Sequence, residues 1–534
     1  MRLEKLLEEV ARRDPDRAAI WQPGGPEGSW ASYGELDRRA SAIARRLREL
    51  GLEPGDRVAA LLDNSHEWVA SHFAVLKAGG VNVPLSTDLG ARALAQILEH
   101  SGARALIAGR RYASVFDQIP KDSALPRLVL WDAPAVPDLA DPRGLQHLLL
   151  SDPNPTQLDA EPLAALAVPA APAAPAESDQ ALAAIIYTSG STGQPKGVML
   201  SHANLAASTE STVQYLGLTE RDRMLVVLPF YYIYGLSLLY THFWVGGSLL
   251  LDNRFAYPNV VLDTMAKREA TGLAGVPSTF MLLLQKSTLK KRTFPRLRYV
   301  TQAGGAMAPT IQREVHQAFA PAQLFIMYGC TEAAPRLSYL DPDLLPKKWG
   351  SIGRAVPGVH LAVADDQGQP VARGEVGQIV ARGANIMLGY WKDPEGTAEV
   401  LRDGLYFTGD LAREDEDGCL FIVGRSREIL KVGGNRVSPK EIEETMLGFP
   451  GVAEVAVVGI DDPVLGEAAV AFVVRAEPGT VEEGDLRNFL KELLPSFKVP
   501  KLIRFRDSLP KSPAGKVLKP RLREEAAAEA PGPS

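Results

Sequence analysis

The sequence predicts an α/β protein, with a large N-terminal domain of doubly wound α/β subdomains plus a small β-rich module, followed by a small α+β C-terminal domain. Three observations predict it. Strand-length apolar runs alternate with amphipathic helical patterns from Ser32 to Ala108, the order that builds a parallel sheet. Between Arg223 and Glu332, several apolar runs end in small or polar residues, as strands do where they meet a ligand crevice. From Gly374 the pattern changes to short strands and turns, and after Arg425 to a compact mixed unit.

The elements follow in order. MRLEKLLEEVARRDPDR is charged and helical in pattern. Ser32 with Glu35 makes a capping box for a helix whose Leu36, Ala40, Ile43, Ala44 and Leu47 share one face before Gly51 stops it. The run from Asp56 to Leu62 is strand-like, Glu67 to Gly79 helical, and Gly80 to Leu85 strand again. Leu94 to Ser101 and Ala103 to Ala108 repeat helix then strand. From Asp132 to Asp179 the composition turns to Ala, Pro, Asp and Leu, ending in VPAAPAAPAESD, which reads as a surface excursion or linker. Strand-like runs then follow at Arg223, Gly275, Val300 and Ile326, the first leading into the aromatic cluster Phe230 to Gly235.

Val376 to Val380, Leu405 to Asp410 and Cys419 to Gly424 are the short strands of the β-rich module. The last unit reads as helix Pro439 to Met446, strands Val452 to Ile460 and Ala468 to Val474, helix Val481 to Leu494 and a strand near Leu502 to Phe505. The expected division is 1–426 for the core, 427–523 for the C-terminal domain and 524–534 for a disordered Glu/Ala- then Pro/Gly-rich tail.

Composition narrows the function. Lys+Arg 58 against Asp+Glu 64 gives a net charge of −6 without a dominant basic run, which argues against nucleic acid or an anionic membrane as the main partner. The two cysteines, Cys330 and Cys419, stand outside any CxxC or Cys/His cluster, indicating neither a disulfide framework nor zinc and favouring a reducing, cytoplasmic setting. The most apolar run, Leu236 to Leu251, is broken by His242 and a Gly pair, so no stable membrane insertion is expected. Oligomeric state is left open.

The stretch Ala181 to His202, ALAAIIYTSGSTGQPKGVMLSH, is an apolar run breaking into a hydroxyl- and glycine-rich loop with one lysine. Thr188, Ser189, Gly190, Ser191, Thr192 and Gly193 offer hydroxyls and closely approachable backbone N–H groups, and Lys196 a mobile positive charge. That composition is a phosphate cradle. It is not a Walker A loop, because Gln194 and Pro195 separate glycine from lysine and Gly197 follows it. Alone, a Ser/Gly/Thr cluster also fits a surface linker. Likewise Glu332, Asp410, Arg425 and Lys516, taken singly, fit solvated surface groups.

Their joint occurrence changes that. YTSGSTGQPKG (187–197), QAGGAM (302–307), YGCTE (328–332), YFTGD (406–410), GRSREILKVGGNRVSP (424–439) and PKSPAGKVLK (510–519) stand in this order. The chain thereby resembles the adenylate-forming superfamily of acyl- and aryl-CoA synthetases, luciferases and peptide-synthetase adenylation domains, over nearly its whole length from Tyr33 to Arg521.

The resemblance implies that a carboxylic acid reacts with ATP to give an acyl-adenylate and pyrophosphate, after which a thiol displaces AMP. It assigns Thr188, Ser189, Ser191, Thr192 and Lys196, with Gly190 and Gly193, to the β- and γ-phosphates. Thr331 falls to the α-phosphate, and Glu332 to Mg²⁺. Gly304, Gly305 and Ala306 would leave room for adenine, with Tyr328 and Gly329 beside it, and Asp410 and Arg425 would hold the ribose. Lys516, on a mobile lid, would bridge the carboxylate and α-phosphate, and rotation about a hinge at Arg427 would replace it with a loop carrying Lys431, Gly433, Gly434 and Arg436, which would line the CoA thiol tunnel. The family more often has Asp or Lys at the hinge, and many members have histidine where Tyr232 stands. Cys330 occupies a variable position and reads as a wall residue, because the mechanism needs no thiol nucleophile.

The leading reading is an acid:CoA ligase for a fatty or related apolar acid, with Tyr231, Tyr232, Gly235 and Val276 in the acyl pocket and ATP, Mg²⁺ and CoA as cofactor and co-substrates. An acyl carrier protein thiol as acceptor is the alternative, and a lapsed nucleotide- or acyl-binding protein a third reading. The Phe230 to Ser237 segment has no acidic residue to anchor an amino group, which disfavours an amino-acid substrate.

Overall fold

The computed structural model describes residues 1–24, 27–126, 128–137, 145–150, 178–189, 195–462, 465–477, 479–511 and 517–528. Two large sheets form the N-terminal part. In the first, strands run in the order Gly389–Tyr390, Pro195–Ser201, Leu182–Ser189, Val81–Pro84, Arg57–Leu61, Ala105–Gly109, Leu128–Asp132 and Gln146–Leu149. Pairing is parallel from Leu182–Ser189 to Gln146–Leu149 and antiparallel at the other edge. The second has nine strands in the order Arg354–Ala355, Ser338–Leu340, Gln323–Tyr328, Tyr299–Gln302, Gly272–Gly275, Arg223–Val226, Ser248–Leu251, Ala18–Gln22 and Ser29–Ser32. Its six central strands are parallel.

Helices cover these sheets for readable local reasons. The helix Tyr33–Glu49 begins with the expected capping box, Ser32 and Glu35 each bonding the other's backbone, and buries Leu36, Ala40, Ala44 and Leu47. His202–Leu216 starts the same way, with Ser201 and Asn204. Ile233–Val245 is apolar on all sides and lies between the sheets, with Leu236, Leu239, Tyr240 and Phe243 at or near zero exposure. Such a helix is stable only inside a core.

The β-rich module is an antiparallel sheet of Val359–Ala364, Val376–Gly383, Leu405–Glu414 and Leu401–Arg402, with Leu420–Arg425 beside Leu405–Glu414. The C-terminal unit has its own sheet, Asn435–Val437, Leu430–Val432, Gly466–Arg475 and Val452–Asp462, with Leu502–Arg506 parallel to Gly466–Arg475. One face packs on Pro439–Leu447 and Glu483–Leu493, around Ile442, Met446, Leu486 and Leu490.

Three local expectations are revised. Inside the expected excursion 132–179, Gln146–Leu149 is a strand paired with Leu128–Asp132, its apolar leucines completing that sheet edge. The expected tail from 524 is helical as far as Ala528, because Leu522 and Ala526 are fully buried and Glu525 pairs with Arg506 at 2.7 Å. Thr188, Ser189 and Lys196 belong to strands, since Leu182–Ser189 and Pro195–Ser201 form a hairpin in which Thr188 pairs with Lys196.

Candidate active site

Adjacent strands of the nine-stranded sheet deliver their carboxyl ends to one crevice, the place where open parallel sheets bind ligands. Gly272–Gly275 leads to Val276, Tyr299–Gln302 to Gly304 and Gly305, and Gln323–Tyr328 to Gly329, Thr331 and Glu332. Gly304 has φ of +83° and sits 3.0 Å, measured from an added Cβ, from Val276 Cγ1, so a side chain there would be strained and would press on Val276. Gly305 and Ala306 are exposed, and Gln302 Nε2 donates to the Gly305 carbonyl at 2.8 Å. The result is a flat, side-chain-poor ledge suited to an adenine ring.

Asp410 stands at the other wall, on Leu405–Glu414, and is nearly buried at 7% exposure. Its Oδ2 accepts from the Tyr328 hydroxyl at 2.6 Å and its Oδ1 from Arg425 Nε at 2.9 Å. Arg425 is placed by register, since it pairs with Asp410 across the two strands. Burial and the neighbouring Asp410 charge push the Tyr328 phenol well up, so it stays a donor. Asp410 raises Arg425 in turn. A carboxylate has about four acceptor sites, and two remain for vicinal hydroxyls.

Lys196 reaches a second cluster. Its Nζ lies 4.6 Å above the Tyr390 ring and 3.2 Å from Asp393, and the Tyr390 hydroxyl donates to Glu332 Oε1 at 2.9 Å. Tyr390 is held by pairing with Val198 and by Trp391 N–H donating to the Gly197 carbonyl at 2.7 Å. Asp393 caps Pro394–Val400 by accepting from Gly396 N–H. A Cβ on Gly396 would lie 2.2 Å from Asp393 Oδ2 and 2.7 Å from Lys196 Nζ, so glycine is what lets lysine and aspartate meet. Tyr390 and Asp393 were missed in the sequence. Their signal was Gly389-Tyr390 followed by Asp393-Pro394, a helix start.

The aromatic cluster follows the strand Arg223–Val226. Tyr231 and Tyr232 stand together, ring centroids 4.7 Å apart, with the Tyr231 hydroxyl 3.4 Å from Asp88, and Val276 is half-buried. Gly235 differs. A Cβ there would lie 2.0 Å from the Pro229 carbonyl oxygen, so glycine serves a backbone crossing and does not open the pocket. Cys330 is within 3.4 Å of the Tyr406 hydroxyl, and burial raises its thiol far above the ordinary range, as a wall residue would have it.

Arg427 lies in the short turn Ser426–Glu428 between the module and the C-terminal sheet, 3.4 Å from Glu399. The two units also meet where Ser438 Oγ and Lys440 Nζ donate to the Val423 and Ile422 carbonyls. Lys431 pairs with Arg436 in a hairpin whose two turn residues, Gly433 and Gly434, have φ of +56° and +81°, the left-handed pair of a type I′ turn. Gly190, Ser191, Thr192, Gly193, Lys516 and the side chains of Ser189 and Arg436 lie outside the described residues.

Thus Tyr390 links Lys196 to Glu332, and four residues before Glu332, Tyr328 is joined to Asp410 and Arg425. A bound magnesium commonly takes one or two protein carboxylates together with substrate phosphates, and Glu332, joined to Lys196 through Tyr390, is a hard oxygen donor of that kind.

Comparison with known proteins agrees. The family model described as "AMP-binding enzyme" matches residues 7–391, and "AMP-binding enzyme C-terminal domain" matches 441–516. A feruloyl-CoA synthase of Amycolatopsis sp is 34% identical over 520 residues, 96% of each chain. A long-chain-fatty-acid–CoA ligase of Salmonella typhimurium is 32% identical over 98% of this chain and 94% of the relative. The ATP-bound crystal structure of MatB from Rhodopseudomonas palustris superposes with a TM-score of 0.83 at 32% identity, covering 98% of this chain and 99% of that one.

Proposed function

The chain belongs to the AMP-binding enzyme family and is an AMP-forming acid–thiol ligase, and from that premise we propose that it joins a fatty or related apolar carboxylic acid to CoA. The observation that carries the reading is the connected set Lys196, Tyr390, Glu332, Tyr328, Asp410 and Arg425 at the strand ends. CoA is favoured over a carrier-protein thiol because the relatives are named for CoA ligation.

In the first half-reaction a carboxylate oxygen bonds to the α-phosphorus and the bond to the bridging oxygen of pyrophosphate breaks. In the second, the CoA sulfur bonds to the acyl carbon and AMP leaves with the carboxyl oxygen. Such chemistry needs positioning and charge neutralisation more than covalent help. Asp410 and Arg425 orient the ribose, Thr331 faces the α-phosphate, and Lys196 holds the departing pyrophosphate. Magnesium, when bound at Glu332, neutralises phosphate charge. Residues 427–523 act as a lid that turns about Arg427, bringing Lys516 for adenylation and the 431–436 hairpin for thioester formation. We place the enzyme in the cytoplasm, in keeping with its two unpaired cysteines. Among the described residues no helix is long and apolar enough to cross a membrane.

The test is pyrophosphate release from ATP–Mg with a panel of acids, with and without CoA. Release with an acid and thioester formation on adding CoA is expected. No release with any acid overturns the ligase reading, and release without thioester overturns CoA as acceptor.

A further inference from the structure

Directly under the crevice lies a cation that the reaction does not use. Arg336 follows the Glu332 turn and is 3% exposed. Its guanidinium lies 4.5 Å from the centroid of the Tyr234 ring. Among the described residues its Nε has no hydrogen-bond partner, and no carboxylate stands within 4.0 Å of it.

The setting ties it to the acyl side of the site. A Cβ on Gly329 would lie 3.1 Å from Arg336 Cα, and Leu337 N–H donates to the Tyr328 carbonyl at 3.0 Å, so Arg336 backs the YGCTE segment. Tyr234 opens the apolar helix Ile233–Val245, immediately after Tyr231 and Tyr232, and its hydroxyl meets Thr301 Oγ1 at 2.8 Å, on the strand that ends at the Gly304–Gly305 ledge. Helix His202–Leu216 contributes the Tyr215 hydroxyl on the other side, where the Arg336 charge and a hydrogen bond from its guanidinium both act on it. One helical turn before Tyr215, the Ser211 hydroxyl is also buried without a partner among the described residues.

Burying a charge is expensive unless it is paired. A ring on the face of a guanidinium supplies cation–π attraction, but it satisfies none of the in-plane N–H donors. That planar fork is the shape that fits a carboxylate with two parallel hydrogen bonds. Arg336 is thus an incomplete ion pair at the apolar end of an acid-binding site.

We propose that Arg336 receives a second carboxylate on the substrate, so that the enzyme's acid is a dicarboxylic acid with an otherwise apolar body. This rests on the ligase reading above and narrows it. The reacting carboxylate faces the nucleotide, and the distal one pairs with the Arg336 fork, setting the length of the acid.

The experiment compares matched acids, α,ω-dicarboxylic acids and monocarboxylic acids of equal carbon number, together with an aromatic pair, by kcat/KM for pyrophosphate release. Wild type is expected to prefer the best diacid over its monoacid at least 10-fold. Arg336→Met, close in volume, is expected to shift that ratio at least 100-fold toward the monoacid. Arg336→Lys keeps the charge without the fork and is expected to fall between them. A wild-type preference for the monoacids overturns the proposal even if the variants fail to fold. So does an equal loss for both acids in Arg336→Met, which would mean that the arginine braces the fold or holds the reacting carboxylate. Failure of the parent reading looks different, because no acid of either kind would then release pyrophosphate.

Discussion

Replacing Asp410 by asparagine tests the ribose assignment most directly. The aspartate accepts from Tyr328 at 2.6 Å and Arg425 at 2.9 Å, one on each oxygen. In Asp410→Asn the remaining oxygen stays with Arg425, which can only donate, so the amide turns its NH₂ toward the Tyr328 hydroxyl, which can accept. One side of the group then presents donors where a ribose hydroxyl seeks an acceptor, and the negative charge is gone. A hydrogen bond to a charged group contributes about 1.5–3 kcal/mol, so losing one predicts ATP binding weaker by roughly 10- to 150-fold. Isothermal titration with ATP and with its 2′,3′-dideoxy analogue checks this. The dideoxy analogue has no hydroxyl to lose, so its affinity should change several-fold at most. If Asp410→Asn weakens both nucleotides equally, Asp410 does not read the ribose and the argument fails.

Four further predictions concern the metal site, the lid lysine, the buried histidines and Cys330. Tyr390→Phe keeps the ring under Lys196 but removes the 2.9 Å bond to Glu332, and should raise the Mg²⁺ concentration that half-saturates ATP binding about 10-fold, read by calorimetry at fixed ATP; an unchanged titration would detach Tyr390 from the metal site. Lys516→Ala should abolish acyl-adenylate formation while largely sparing thioester formation from preformed acyl-adenylate, and equal losses in both half-reactions would refute the rotating lid. Burial holds His72 and His202 down at about 3 and His242 at about 4. Below the ordinary 6.5 the unfolded chain therefore binds protons that the folded chain refuses, so stability falls as pH drops, by about 1.4 kcal/mol per histidine between pH 7.5 and 5.5; denaturant midpoints should show it, and His72→Phe should shallow the slope. The raised Cys330 thiol should resist iodoacetamide in the native protein at pH 7.5 and react on denaturation, as peptide mapping would reveal.

Much of the fold is local chemistry and could be read directly. The capping box at Ser32 and Glu35 formed as expected, and the strand starting at Val452 and the helix starting at Pro439 begin at the expected residues. Short-range signals decide these, because capping, periodicity and turn chemistry involve residues a few positions apart. Long-range pairing hides elsewhere. Ala18–Gln22 joins the nine-stranded sheet beside Ser248–Leu251, while the next parallel strand, Arg57–Leu61, enters the other sheet. Gln146–Leu149 and the helix past residue 524 exist because a sheet edge and a buried face receive them.

The active site divides the same way. By itself the sequence determined the groups on offer: a glycine- and hydroxyl-rich lysine loop, a Thr-Glu pair, an Asp and an Arg, and a second lysine far along the chain, in the order of the adenylate-forming family. Only the tertiary structure decided which of these groups touch. Tyr328 bonds Asp410, Lys196 rests between Tyr390 and Asp393, and Arg336 is buried without a carboxylate among the described residues. Each contact joins strands or turns far apart in sequence, so no local propensity encodes it. Sheet order and register bring the partners together, and burial turns an ordinary surface arginine into a charge that needs a counter-ion.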